Sequence, residues 1–562
     1  MNITILSGGS GNESLLKGLL EFYPQANIKI IVNAYDDGKS TGVCRRITNT
    51  LGVSDIRKNH LRMYRLKNEV QDNRIIEFYK ERYDLPKNNE KQFVSQKLQD
   101  WGLTELSVWS DSFFDSLSDD ASYDLTDFSI ANICYAEMYK NIGYVETNKY
   151  FCKKLNIDDC VILNSFDNVS IQALTTKGEL IDEANIVCLN NANEKIVSIS
   201  YKGDTAYNIN PEATKVIDDS DLIIISTGTF WSSIYPTLHY GELFRHINNS
   251  KAKKVWIMNN EEDKDAISVC SNDFIDVLSS LGVNLSDFCI IQNSDACESL
   301  RLHNDDFFIY RQKLGNINGQ HHPGLLAKAI FSYYYSFPNQ YDYILLDFDD
   351  TIWSRDYERD PELLRTSISN VSMANKHNVI IISGNNYDSI KSKIFMAIGT
   401  QNSQRFDLWC DANAIQYCNG TKTNYVESLN ITSSYDKVKR YINDKYGIIG
   451  IVNCQEFVTC LKIKPLDKLV RKVLCKSLND FVLKEIGAEE LEARMTGKTT
   501  IDIVKKSNNK SIIYTKLNLA NKKTLYIGDE CIDGNDFEIS KKCNKYINVR
   551  DIYETNVILK LL

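Results

Sequence analysis

At 562 residues the chain is too long for a single hydrophobic core and requires at least two domains. It is 43% hydrophobic and 25% charged, which excludes a disordered or fibrous chain, and no apolar run reaches the length of a membrane span. Lys and Arg number 65 against 74 Asp and Glu, and a net charge of -9 gives no electrostatic reason to expect nucleic acid or an anionic membrane as partner. The opening Met1-Asn2-Ile3-Thr4-Ile5-Leu6 lacks the basic lead and long apolar core of a signal peptide. The 15 Cys contain no Cys-x-x-Cys pair and lie mostly in apolar runs, so buried thiols in a reducing cytoplasm are expected.

Asn2 to Leu6 reads as a buried strand running into Ser7-Gly8-Gly9-Ser10-Gly11-Asn12, then a helix with Leu15, Leu16, Leu19 and Leu20 on its apolar face. Backbone N–H groups at such a turn suit phosphate, although Gly also serves ordinary tight turns. The third Gly of the dinucleotide fingerprint is missing. A second strand, Ile28 to Val32, ends in a loop carrying Asp36, Asp37 and Ser40. Adjacent carboxylates there could hold a divalent cation, take a proton from an acceptor hydroxyl, or simply face solvent. Asp55 is expected to cap a helix and Arg57 to meet a phosphate, with Asn132 at the opening of a further helix. Leu222 to Ile225 forms another strand, which delivers the hydroxyl-rich turn of Gly228, Thr229, Ser232 and Ser233.

In order and spacing these pieces resemble the 2-phospho-L-lactate transferases and their relatives, the gluconeogenesis factors. The matching stretches are Gly8 to Gly11, Asp36 to Gly42, Ser54 to Lys58, Ser129 to Asn132, Thr227 to Pro236, and His321 to Ala327. The chain departs from the family pattern at Lys39, Val43, Ser54, Lys58, Ala131 and Thr227. The resemblance implies a nucleotide-diphosphate ligand held by Gly8, Gly9, Ser10, Gly11, Asn12, Asp36, Asp37, Ser40, Asp55, Arg57, Asn132, Gly228, Thr229, Ser232 and Ser233. It implies phospho-group transfer less firmly, because the gluconeogenesis factors suggest a nucleotide-sugar-binding regulatory module instead.

The second half opens on Tyr343-Ile344-Leu345-Leu346, a buried strand with Asp347, Asp349 and Asp350 at its C-terminal end. Ligands bind at that end of an open α/β sheet, and clustered carboxylate is costly to bury unless a cation or a reaction requires it. Asn378 to Ile382 is a second strand, ending in Ser383-Gly384-Asn385. Strands and helices then alternate, with Asn413 and Asn419-Gly420 near the base of an insert. Gly497-Lys498-Thr499-Thr500 imitates a Walker loop, but Glu492 stands where the first Gly is needed, so no phosphate cradle forms there. Thr500 to Val504 reads as a strand and is followed by Lys510 at a helix start, with Lys505 and Lys506 as possible substitutes. Thr524 to Ile527 is the last buried strand, and Gly528-Asp529-Glu530-Cys531-Ile532-Asp533-Gly534-Asn535-Asp536 follows it.

These four segments resemble the motifs of the haloacid dehalogenase (HAD) phosphatases, and the insert resembles the α/β cap of sugar phosphatases and phosphomannomutases. The resemblance implies that Asp347 attacks phosphorus, Asp349 serves as acid and base, and Ser383 and Lys510 hold the phosphoryl group. It also implies Mg2+ held by Asp347, Asp349, Asp529 and either Asp533 or Asp536, the compact spacing favouring the first and the longer spacing the second.

The expected fold class is therefore α/β, with two Rossmann-like parallel-sheet domains at 1–336 and 341–562, the second a HAD core with a cap at about 406–494. The expected protein is a cytoplasmic bifunctional enzyme. A nucleotide-diphosphate-dependent transferase-like half is joined to a Mg2+-dependent phosphatase for a small phosphorylated metabolite, a sugar phosphate first among them. A regulatory first half, or a phosphomutase second half, are the alternatives. The oligomeric state is left open.

Overall fold

The computed structural model describes residues 1–9, 11–117, 123–186, 195–203, 206–263, 266, 269, 271–296, 307–336, 341–354, 361–373, 378–398, 407–410, 415–418, 421–424, 432–446, 451–456, 460–465, 468–486, 490–496, 500–532 and 534–562. The chain divides into two compact units, Met1–Tyr334 and Tyr335–Leu562. Both are α/β. Among the described residues no helix is long and apolar enough to cross a membrane.

The strands of the first unit are β1 (Asn2–Leu6), β2 (Asn27–Val32), β3 (Val161–Leu163), β4 (Val169–Thr175), β5 (Leu180–Asp182), β6 (Ile196–Gly203), β7 (Leu222–Ile225), β8 (Lys253–Ile257), β9 (Phe288–Asn293) and β10 (Phe308–Gln312). Seven of them form one sheet in the order β10-β9-β8-β7-β1-β2-β3. Every neighbouring pair in it is parallel. Helices cover a parallel sheet on both faces, so its strands are continuous apolar runs, and Leu222-Ile223-Ile224-Ile225 is buried throughout. The chain leaves β1 in one direction through β2 and β3, then returns to the other side of β1 with β7. That reversal sets the carboxyl ends of β1 and β7 side by side, the place where open α/β sheets bind ligands. A small antiparallel sheet, β5-β4-β6, completes the unit.

The second unit contains β11 (Tyr343–Asp347), β12 (Asn378–Ile382), β13 (Asp407–Cys410), β14 (Ile415–Cys418), β15 (Thr421–Asn424), β16 (Ile451–Glu456), β17 (Cys460–Pro465), β18 (Leu491–Thr496), β19 (Thr500–Lys505), β20 (Thr524–Gly528) and β21 (Lys545–Asn548). Its main sheet runs β15-β14-β13-β12-β11-β20-β21. The pairs from β13 to β21 are parallel, and β14 and β15 extend the edge antiparallel. The order reverses between β11 and β20, which brings their acidic C-terminal ends together.

A separate antiparallel sheet, β16-β17-β19-β18, packs Leu461, Ile463, Leu491, Ala493, Ile501 and Ile503 against the helices Thr432–Tyr446 and Lys468–Phe481. This corrects the expected cap limits of about 406–494. β13, β14 and β15 belong to the main sheet, whereas β19 belongs to the separate antiparallel sheet. Strand partners are set by long-range pairing, which an alternation of strand and helix patterns along the chain does not reveal.

Candidate functional site

In the second unit Asp347 closes β11 and is buried, so its carboxylate needs a partner. Lys510 supplies one. Its Nζ donates to Asp347 Oδ1 at 2.5 Å and also to Asp536 Oδ1. Lys505 and Lys506, weighed as substitutes, stand at the end of β19, and it is Lys510 that reaches Asp347. Tyr526, from the middle of β20, donates its hydroxyl to the same Asp536 oxygen at 2.7 Å. Carboxylate oxygens of Asp347, Asp529 and Asp536 lie within 4.8 Å of one another. Gly528 makes this approach possible, because a Cβ there would stand 2.2 Å from Asp536 Oδ2.

Electrostatics sharpens the picture. Burial raises the Asp347 carboxyl well above the usual range, Asp536 raises it further, and Lys510 opposes both. Burial, then Asp536 and Glu530, push Asp529 up to about 7. Burial alone would lower the Lys510 ammonium, but Asp347 and Asp536 outweigh it and hold it above its ordinary value. Two of the three carboxylates, Asp347 and Asp536, thus share one ammonium, with Asp529 beside them, and their hard oxygens are the donor set that a divalent cation such as Mg2+ takes.

Asp349 points to a different set of partners. Its Oδ2 accepts from Ser383 Oγ at 3.1 Å and from Asn385 Nδ2 at 2.8 Å, and Lys393 Nζ lies 3.8 Å from Oδ1. The turn beyond it is closed by Asp350, at φ +57°, whose N–H donates to the Trp353 carbonyl. Two carboxylates two residues apart therefore differ in environment. Asp347 is sealed against a lysine, and Asp349 is partly exposed among hydrogen-bond donors. Asp533, Asn413, Asn419 and Gly420 lie outside the described residues, as does the Walker-like stretch at 497–499. Tyr526, Asn385 and Lys393 were not singled out from the sequence. Tyr526 carries no signal beyond that of a buried strand residue.

In the first unit the turns after β1 and β7 meet. A Cβ on Gly11 would stand 2.2 Å from the Thr227 carbonyl oxygen, and one on Gly8 would stand 2.5 Å from Ser233 Oγ. Thr227 Oγ1 also donates to the Gly11 carbonyl. Thr229, Ser232 and Ser233 bond to one another, with Ser232 Oγ 2.7 Å and Ser233 Oγ 2.9 Å from Thr229 Oγ1. Gly228 exchanges two hydrogen bonds with Asn259.

The carboxylate standing against the glycine turn is Asp55, which a Cβ on Gly9 would approach to 2.1 Å. Asp55 does not cap its helix, as the sequence suggested. It lies in the first turn of Ser54–Lys67, where Val53 is the cap residue and makes no side-chain cap bond. Asp36 and Asp37 stand apart from that contact: Asp36 Oδ1 accepts from Gly38 N, and the Asp37 N–H donates to Glu183 Oε2 at 2.9 Å. Burial, then Asp36, push Glu183 up to about 8, and burial likewise raises Asp55 against the opposing pull of Lys58. Glu183 was missed because it is remote in sequence from every turn. Ser10 lies outside the described residues.

Asn12 is fully buried, donates to Asn59 Oδ1 at 2.9 Å and accepts from Arg62. Arg62 Nη2 donates to the Gly9 carbonyl at 2.9 Å. Arg57 is buried and donates to Asn132 Oδ1 at 2.8 Å and to the Tyr79 carbonyl. Burial lowers its guanidinium to about 10, with Arg82 adding to the effect. Asn132 in turn donates to Ser40 Oγ at 3.1 Å, which also accepts from Arg82.

Beside this network lies a cavity of about 550 Å³ with Gly9 on its edge. Lys17, Arg57, Lys58, Arg62, Arg65, Lys80 and Arg82 line it, with Glu13 as the one carboxylate. Lys58, Arg62 and Arg65 follow one another at helical spacing on Ser54–Lys67. That stripe was legible in the sequence but does not by itself distinguish a pocket from a solvated face.

Residues 3–309 match the family model described as 2-phospho-L-lactate transferase CofD. A gluconeogenesis factor of Listeria innocua is 25% identical over 257 residues, which cover 46% of this chain and 66% of that protein. A putative gluconeogenesis factor of Thermoanaerobacterium thermosulfurigenes is 25% identical over 297 residues, 52% of this chain and 78% of that one. Among solved structures, a Bacillus halodurans protein of the upf0052 family is 18% identical at a TM-score of 0.45, over 59% of this chain and 98% of its own. A trehalose-6-phosphate phosphatase of Aspergillus fumigatus is 13% identical at a TM-score of 0.27, over 39% and 91%.

Proposed function

The chain belongs to the 2-phospho-L-lactate transferase CofD family through residues 3–309, and from that premise we propose a bifunctional protein: a first unit that binds a phosphate-bearing, nucleotide-diphosphate-type ligand, and a second that is a Mg2+-dependent phosphatase of the HAD type. The observation that carries the phosphatase reading is the buried Lys510, shared between Asp347 and Asp536 with Asp529 beside them. Such a cluster is costly to fold and is expected where chemistry requires it.

In this reading Asp347 attacks phosphorus in line, the P–O bond to the leaving group breaks, and an aspartyl-phosphate forms. Asp349 gives a proton to the departing oxygen and later takes one from the water that hydrolyses the intermediate. Ser383 and Asn385, which already bond Asp349, orient its carboxyl for that proton transfer. Lys510 offsets charge on Asp347 and on the phosphoryl oxygens. Asp347, Asp529 and Asp536 would hold Mg2+, which when bound supplies further charge stabilisation. Purified protein with Mg2+ should release phosphate from a generic aryl phosphate, and Asp347→Asn should abolish release while the melting temperature stays that of a folded protein. Unchanged turnover in that variant removes Asp347 from the role.

For the first unit, the cation-lined cavity beside Gly9 supports a multiply charged anionic ligand. A purely regulatory role for this unit is the second reading, favoured by the gluconeogenesis-factor names of its relatives.

A further inference from the structure

Tyr526 carries a hydroxyl into the core of the second unit. Its ring is fully buried in a cluster with Leu345, Ile380, Trp409 and Ile513. A phenylalanine would fill the same space, so the hydroxyl is explained by what it bonds and not by packing. It donates to Asp536 Oδ1 at 2.7 Å, the oxygen that also accepts from Lys510. The ring is held close against the strand end, because a Cβ on Gly528 would stand 2.8 Å from Tyr526 Cε1. The two oxygens of Asp536 therefore differ. Oδ1 is taken by an ammonium and a phenol. Oδ2 lies over Gly528, where a Cβ would meet it at 2.2 Å, and accepts a long bond, 3.3 Å, from the Glu530 N–H. Gly528 and Glu530 flank Asp529, so Oδ2 is the oxygen turned toward the segment that brings Asp529 into the carboxylate cluster.

We propose that Tyr526 selects the ion: with its hydroxyl and Lys510 on Oδ1, Asp536 offers a cation Oδ2 alone, which suits Mg2+ and disfavours Ca2+. This rests on the metal-dependent reading of Asp347, Asp529 and Asp536 and adds the ion specificity of that site. Ca2+ gathers about six to eight oxygens in a pliant shell and readily takes both oxygens of one carboxylate. Mg2+ is smaller, holds to near-octahedral geometry and keeps several of its waters, so one oxygen from each carboxylate serves it. A carboxylate with one oxygen already committed fits the second ion and not the first. Tyr526 acts through Asp536 and is a positioning residue. Hydrogen bonds of this kind fix the orientation of a ligand, and losing one typically costs about 10–100-fold in metal affinity.

The test is calorimetry of the full-length protein, stripped with chelator and titrated separately with Mg2+ and Ca2+ in the absence of substrate. The wild-type protein should bind Mg2+ more tightly than Ca2+. Tyr526→Phe keeps the ring and its packing; it should weaken Mg2+ binding by about tenfold and leave Ca2+ binding as tight or tighter. The melting temperature without either ion reports whether the variant is folded, and a general loosening of the site would weaken both ions alike. Equal losses for the two ions, an unchanged preference, or a wild-type preference for Ca2+ overturns the assignment. Asp529→Asn should abolish the Mg2+ heat. If that heat persists, or if neither ion binds the wild-type protein at millimolar concentration, the metal-dependent reading of the cluster has failed, and this inference falls with it.

Discussion

Lys510 is the residue on which the second unit's site depends most. Its ammonium bonds two buried carboxylates, so its removal leaves both uncompensated. Breaking a buried pair from one side typically costs about 3–5 kcal/mol. Lys510→Met should therefore lower the melting temperature sharply, and millimolar Mg2+ should restore part of the loss if the carboxylates bind it. A melting temperature equal to wild type would mean that the lysine is not the counter-charge of the cluster. Asp536 raises a second question at this scale. It joins Asp347 and Asp529 and is fully buried. Asp536→Asn should then raise the Mg2+ requirement for phosphate release far more than Asp533→Asn does. The reverse order would favour the compact spacing, and two equally small effects would remove both residues from the site.

At the scale of elements, the glycine turn after β1 is held against the turn after β7. Gly11 is the tightest point, because a Cβ there would meet backbone on the opposing turn and not the movable end of a side chain. Neither strand can yield without breaking the β1–β7 pairing. Gly11→Ala should destabilise the first unit by about 1–3 kcal/mol, the usual cost of overpacking. Urea unfolding measures this directly, and an unchanged midpoint would show that the two turns separate freely. The four-stranded antiparallel sheet illustrates the same dependence on pairing, since β19 lies between β17 and β18 although β18 precedes it directly in sequence.

At the scale of the whole molecule, each unit carries its own candidate site. The cavity beside Gly9 gathers cations from three helices and a loop, whereas the chain as a whole carries a net charge of -9. A local excess of positive charge within an acidic protein is suited to anions. Calorimetry of the full-length protein should detect a guanine or uracil nucleoside diphosphate. Arg62→Glu should weaken binding by about tenfold or more, the scale of one lost charge-assisted hydrogen bond. Asp37→Asn should weaken it only in the presence of Mg2+, if a cation bridges the two. No heat at millimolar nucleotide would mean that the family's fold is present without its ligand.

Much of this protein is local in origin and so was legible in the sequence. Runs such as Leu222-Ile223-Ile224-Ile225 and Tyr343-Ile344-Leu345-Leu346 announce buried parallel strands, and the Gly and Asp residues at their ends announce the turns. Strand period and turn chemistry involve neighbours a few residues apart, which is why the α/β class and the order of the motifs followed from them. Only the tertiary structure decided which distant groups converge. It set Asp55 against Gly9, brought Glu183 to the Asp37 backbone, placed Tyr526 on Asp536, and paired β19 with β17. Each of these joins segments through sheet order and side-chain reach, and neither quantity is written in the spacing of residues along the chain.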